Sequence, residues 1–161
     1  MNNSLQTITD QILVFTMDEL AYALPLASVV KVIHSVEIRP LPEAPEIISG
    51  IINIKGQIIP VADIRRRFGL TKHETGLNDH LIIADTGKRE IAVLVDNVSG
   101  IRDLDKTQFD LAKKSVQFAK YISGVAKIDD SLALIYDLEL FMSLDEEKEL
   151  EHALNLKTDE S

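Results

Sequence analysis

The chain contains neither cysteine nor tryptophan. Without thiols there is no disulfide scaffold, no thiolate zinc site and no cysteine nucleophile, and the composition fits a reducing compartment. Aromatic residues make up only 5%, too few for a platform on which bases or sugars stack. An excess of positive charge is also lacking. Lys and Arg number 17 against 26 Asp and Glu, giving a net charge of −9 and disfavouring a general nucleic-acid binder. Apolar runs stop at four or five residues, far below the roughly 20 that a membrane-spanning helix needs. Residues 1–10 are polar and show no basic segment followed by an apolar core, so no signal peptide is expected. A cytoplasmic protein with no direct membrane insertion is the expectation. Glycine is scarce too, at seven residues. Gly87-Lys88 lacks both the upstream glycine and the following Ser or Thr of a phosphate loop, and no cofactor is expected.

What is present is short, β-branched and apolar. The chain has 161 residues, 45% of them hydrophobic, enough for one compact unit or two small ones sharing a core. Candidate strands span 11–16, 20–24, 29–36, 50–54, 57–61, 80–85, 90–95, 98–104, 122–128 and 132–136. Residues 17–19, 55–56, 86–89 and 129–131 join pairs of them at hairpin spacing. Many short strands without long helices between them predict small β-barrels or a sandwich, and argue against a parallel α/β sheet. The run Arg39-Pro40-Leu41-Pro42-Glu43-Ala44-Pro45 lacks three of its N–H groups and reads as an extended connection, followed by one helical turn at 46–49.

An internal repeat organises the chain. Residues 50–68 align with 124–142, each reading as strand, two-residue turn, strand, Asp and short helix, with thirteen residues from Gly50 to Asp63 and from Gly124 to Asp137. The repeat predicts two copies of one β unit, roughly 12–70 and 80–142, sharing a hydrophobic seam. The end of the chain differs. Residues 143–161 carry seven acids and two bases, more than half of the net charge. Ser143 and Glu146 have capping-box spacing, predicting a helix with a partial apolar stripe of Leu140, Leu144, Leu150 and Leu154. This acidic helix and tail, 144–161, is read as an aid to solubility.

Residues with chemical potential have bland readings beside the sharp ones. Asp63 and Asp137 recur in the repeat, and capping of the following turn explains that better than a paired-carboxylate site does. His34, His73, His80 and His152 show no metal-ligand spacing. Arg65-Arg66-Arg67 reads as a solvated face in preference to a phosphate grip. No nucleophile, kinase or dinucleotide motif is present. The expectation is a protein that is not an enzyme and works through its surfaces.

The segments 40–45, 48–63 (Ile48-Ser-Gly-Ile-Ile-Asn-Ile-Lys-Gly-Gln-Ile-Ile-Pro-Val-Ala-Asp63) and 64–69 closely resemble the signature of CheW-like domains. Residues 93–101 resemble the second characteristic stretch of that family, and 121–125 with 132–138 the third. The resemblance covers about 10–143, read as one domain of two subdomains. It implies an all-β fold with short helices: two SH3-like five-stranded β-barrels about a shared hydrophobic core. It also implies a non-enzymatic adaptor that couples chemoreceptors to a CheA-type histidine kinase. The partners would be the kinase's regulatory domain and the cytoplasmic tip of the receptors, in arrays at the membrane. Receptor contacts are carried over to Val32, His34, Gly50, Lys55, Val98 and Ile101, and kinase contacts to Ile38, Leu41 and Pro42, with 109–120 as a further candidate. The chain departs from the family where His34-Ser35 stands in place of Glu-Ile and Lys55 in place of Arg, which suggests a receptor tip of slightly different chemistry. The alternatives are a CheW-like scaffold of a non-flagellar pathway, a CheV-like coupling protein (for which nothing beyond residue 143 supplies a receiver domain), and a small metal-dependent hydrolase using Asp63, Asp137 and a histidine.

Overall fold

The computed structural model describes residues 9–66, 79–105 and 122–160. All ten expected strands are present: β1 (Thr9–Met17), β2 (Leu20–Pro25), β3 (Val29–His34), β4 (Ile48–Ile54), β5 (Gln57–Ala62), β6 (His80–Asp85), β7 (Glu90–Val95), β8 (Asn97–Asp105), β9 (Ile122–Ile128) and β10 (Ser131–Tyr136). They form two five-stranded sheets, one in the order β8-β1-β2-β10-β9 and the other β3-β6-β7-β5-β4. We call them sheet A and sheet B. An isolated antiparallel bridge between Arg39 and Ile51 ties the chain beyond β3 to β4, so the two edges of sheet B are brought round towards each other.

The two sequence units are not the two sheets. Advancing each strand number by five converts one sheet order into the other. Each sheet therefore takes two strands from one unit and three from the other. The hydrogen bonds repeat as well. Ser49 Oγ donates to the Val61 carbonyl at 3.3 Å, and Ser123 Oγ to that of Ile135 at 3.4 Å.

Period-two alternation explains why the central strands read as unbroken apolar runs. On β6, Leu81 and Ile83 face a cluster with Ile52, Ile59 and Leu94 on sheet B, while Ile82 and Ala84 join a larger cluster between the sheets. β1 divides likewise: Ile12 and Val14 pack with Ala23 and Leu104, whereas Leu13, Phe15 and Met17 enter the shared cluster. Burial on both faces removes any need for polar residues along these strands. Phe15 stacks on Tyr22 there, with ring centroids 6.0 Å apart.

Several local expectations change. Ile48 N–H bonds to the Pro45 carbonyl at 2.9 Å and β4 starts at once, so 46–49 is not a helical turn. Asp63 is followed by a single 3-10 turn, Ile64–Arg66, and Asp137 by a plain turn. Arg65 overturns the solvated-face reading: its side chain is fully enclosed. Two acids make that possible, as described below. Arg67, His73 and the segment 109–120 lie outside the described residues.

The C-terminal helix α1 (Leu144–Glu160) starts with the expected capping box: Ser143 N–H donates to Glu146 Oε1 at 2.9 Å, and Glu146 N–H to Ser143 Oγ at 3.1 Å. Its apolar stripe differs from the expected one. Leu150 and Ala153 are buried in the shared core, Leu154 packs against it, and Leu140 and Leu144 are exposed. The acidic helix is therefore part of the core and more than a solubilising appendage. Among the described residues no helix is long and apolar enough to cross a membrane.

Candidate docking surface

β3 and β8 are the corresponding outer strands of the two sheets. Each rests a valine, Val29 or Val98, on the shared core, so both flank the seam. Outward from those anchors they present apolar side chains to solvent: Val30 and Val32 on β3, 50% and 38% exposed, and Ile101 on β8, 53% exposed. Apolar side chains left in water on two strands beside one seam suit an apolar partner.

His34 is exposed at the end of β3, where it pairs in register with His80 of β6. The imidazole centroids are 5.0 Å apart with planes tilted by 37°. His80 Nδ1 is buried and has no hydrogen-bond partner among the described residues. Just beyond, Ser35 N–H donates to the carbonyl of the buried Asp79 at 3.0 Å.

The remaining receptor-list residues lie elsewhere on sheet B. Lys55 is exposed in the β4–β5 turn at φ 51°, beside Gly56 at φ 90°, whose N–H bonds to Asn53 Oδ1 at 2.8 Å. Five residues of strand separate it from Gly50, roughly 16 Å. Gly50 is buried where the 38–39 segment crosses β4. A Cβ there would lie 2.3 Å from the Arg39 carbonyl oxygen and 2.8 Å from Ile38 Cγ2. One residue of the receptor list and one of the kinase list are thus direct neighbours.

Of the kinase list, Ile38 is half-buried against the sheet B cluster, Leu41 is buried in the shared core, and Pro42 is exposed. Sequence reasoning missed two apolar residues near Ile38. Val36 and Ile58, 41% and 43% exposed, border a groove of about 270 Å³ that also includes Glu37, Arg39 and Ile51. The alternation of β5 carries a partial signal for Ile58, since its register partner across the hairpin is the exposed Asn53.

Arg65 was the other missed residue. Its guanidinium is ion-paired with Asp96 and lies 3.6 Å from Asp63 Oδ1. Asp63 Oδ1 also accepts the Arg65 N–H at 3.1 Å, and Asp137 Oδ1 accepts the Glu139 N–H at 2.9 Å. Both repeated aspartates therefore cap turns, as the repeat suggested. Burial raises the Tyr22 phenol above its ordinary value. The Asp18 charge pushes in the same direction and Arg65 opposes it. Among the described residues no group of three or more His, Asp or Glu is placed to hold a metal ion.

The model of the CheW-like domain family matches residues 11–146. The chemotaxis protein CheW of Thermotoga maritima is 32% identical over 129 residues, spanning 80% of this chain and 85% of its own. Protein FrzA of Myxococcus xanthus is 28% identical over 88 residues, 55% of each chain. The crystal structure of the scaffolding protein TtCheW from Thermoanaerobacter tengcongensis superposes with a TM-score of 0.77 at 30% identity, covering 85% of this chain and 94% of that one.

Proposed function

The chain belongs to the CheW-like domain family, and on that premise we propose that it is a chemotaxis scaffold, a non-enzymatic adaptor joining chemoreceptors to a CheA-type histidine kinase. The receptor partner is the amphipathic helical hairpin at the cytoplasmic tip, and the kinase partner is the regulatory domain. The protein works in the cytoplasm, at receptor arrays.

The observation that carries this reading is the pair of exposed apolar strands beside the seam. Val30 and Val32 on one side and Ile101 on the other suit the apolar face of a helix laid between two barrels. A kinase domain fits better at the far end of sheet B, where Val36 and Ile58 border a groove with Pro42 exposed nearby in sequence. Leu41 and Gly50 act behind these surfaces by packing, since both are buried. His34 and Lys55 tune the choice of receptor through charge.

Calorimetric titration tests the proposal. One arm adds the regulatory domain of the CheA-type kinase from the same organism, and the other a soluble receptor fragment carrying the tip. One-to-one binding near micromolar Kd, about −8 kcal/mol, is expected in both arms. Absence of binding in both would overturn the scaffold reading. If His34→Glu combined with Lys55→Arg left preference among receptor tips unchanged, the assigned role of those two residues would fall.

A further inference from the structure

The two halves of the repeat end differently at the seam. Val61 of β5 pairs with Ala92 of β7, and its counterpart Ile135 of β10 pairs with Ala23 of β2. That register makes Ala27 the counterpart of Asp96, and Glu139 the counterpart of Arg65. In the first half the enclosed Arg65, just past the end of β5 in sheet B, is ion-paired with Asp96. The other carboxylate oxygen of Asp96 accepts the Asp18 N–H at 2.8 Å, and the Asp96 N–H donates to the Thr16 carbonyl at 3.0 Å. Thr16 and Asp18 belong to the β1–β2 hairpin of sheet A. Asp96 is itself the single residue between β7 of sheet B and β8 of sheet A. One carboxylate thus fastens both sheets at the point where the chain passes between them.

In the second half Ala27 offers no carboxylate and Glu139 is exposed. A cleft of about 460 Å³ lies there, bordered by Ser28, Thr86, Tyr136, Asp137 and Glu139. The tie on that side runs instead from Arg89 to Glu147 of α1, at 3.5 Å.

We propose that Arg65 and Asp96 form a positioning pair that sets the attitude of sheet A against sheet B, and so shapes the receptor-docking surface that β3 and β8 present. The inference rests on the scaffold reading for the identity of the partner. The geometry explains how the pair acts at a distance from the docking residues. Asp96 precedes β8 directly, and Val98, two residues on, is the side chain that seats β8 on the shared core. Freeing the Asp96 carboxylate frees the start of that strand. Sheet B retains all five of its strands, so the Val36–Ile58 groove keeps its form.

The absence of cysteine makes the test direct. Lys31→Cys on β3 and Ser99→Cys on β8, both at exposed positions, carry spin labels whose separation is measured by pulsed electron resonance. The native pair is expected to give one narrow distance distribution. Asp96→Asn in that background is expected to broaden or shift it, to weaken binding of the receptor-tip fragment at least tenfold, and to change kinase-domain affinity less than twofold. An unchanged distribution overturns the proposal. Equal loss of affinity for both partners also overturns it, because that outcome marks general loosening. Arg65→Met with Asp96→Asn removes the enclosed charge together with its partner, and is read in the same way if the single variant does not fold. Failure of the wild-type chain to bind the receptor fragment would count against the scaffold reading alone, since the label distances still report on the pair.

Discussion

Gly50 and Arg39 approach so closely that a single methyl group would not fit between them: a Cβ on Gly50 would sit 2.3 Å from the Arg39 carbonyl oxygen. The contact lies beside the bridge in which Arg39 and Ile51 exchange backbone hydrogen bonds of 2.9 and 2.8 Å. Gly50→Ala must push that backbone away, at a cost of about 1–3 kcal/mol. Thermal melting is expected to show the loss, and binding of the kinase domain to weaken with it, since Arg39 borders the groove beside Val36 and Ile58. A native melting temperature in the alanine variant would refute the steric account.

Arg65→Ala strips the partner from Asp96 and Asp63 and opens a cavity in a fully enclosed place. Breaking such a pair from one side costs about 3–5 kcal/mol. Urea denaturation of this variant beside Arg65→Met with Asp96→Asn separates charge from packing. The double variant is expected to recover part of the loss.

The open cleft is expected to accept a copy of the ion pair found in the other half. Ala27→Asp with Glu139→Arg places an acid and a base at the counterparts of Asp96 and Arg65. A double-mutant cycle is expected to show favourable coupling of about 0.5–1 kcal/mol. Zero coupling would mean that the repeat holds for the strands and not for the residues that follow them.

Tyr22 gives the fold an alkaline limit. Its phenol is raised above 10.0, chiefly by burial, so the folded chain holds that proton longer than the unfolded chain does. The stability this contributes is complete below pH 10.0 and is lost as pH rises through the folded-state value. Tyr22→Phe is expected to flatten the fall of unfolding free energy above that pH by up to about 1.4 kcal/mol per pH unit. Identical slopes in both proteins would contradict the assignment.

Two leucines of α1 provide a paired control. Leu150 is fully buried in the shared core, and Leu144 is 72% exposed. Leu150→Ala is expected to cost about 2–5 kcal/mol, and Leu144→Ala no more than about 0.5. Equal effects in chemical denaturation would show that the helix is an appendage after all.

The strands were legible because their signals are local. β6, β7 and β9 have the boundaries read from the sequence, and the others differ by one or two residues at their ends. Glycine-free apolar runs between turn residues leave little else to form. What eluded the sequence depends on partners far along the chain. Nothing in Arg65-Arg66-Arg67 marks one arginine as enclosed, because the decisive acid lies 31 residues away. Leu41 falls among prolines that read as exposed connection, yet the shared core takes its side chain. Capping of α1 was plain from Ser143 and Glu146, whereas its buried face was misassigned: Leu150 and Ala153 turn inward because of where the helix docks. At the docking surface, Val32 and Ile101 were legible from the family signature. Val36 and Ile58 were not, since their exposure follows from where the 36–39 segment crosses the sheet.

The exchange of strands between the two sheets has a consequence for synthesis. As the chain leaves the ribosome, the β1–β2 hairpin appears first, but its neighbours β8 and β10 come last. Sheet B likewise waits on β6 and β7 to join β3, β4 and β5. Neither sheet closes until most of the polypeptide is available, so folding is governed by distant pairings and is slow for a protein of this size. Cutting the chain in the 67–78 connection would leave two fragments that each lack part of both sheets. Reassembly would then require them to interlock, each completing the other.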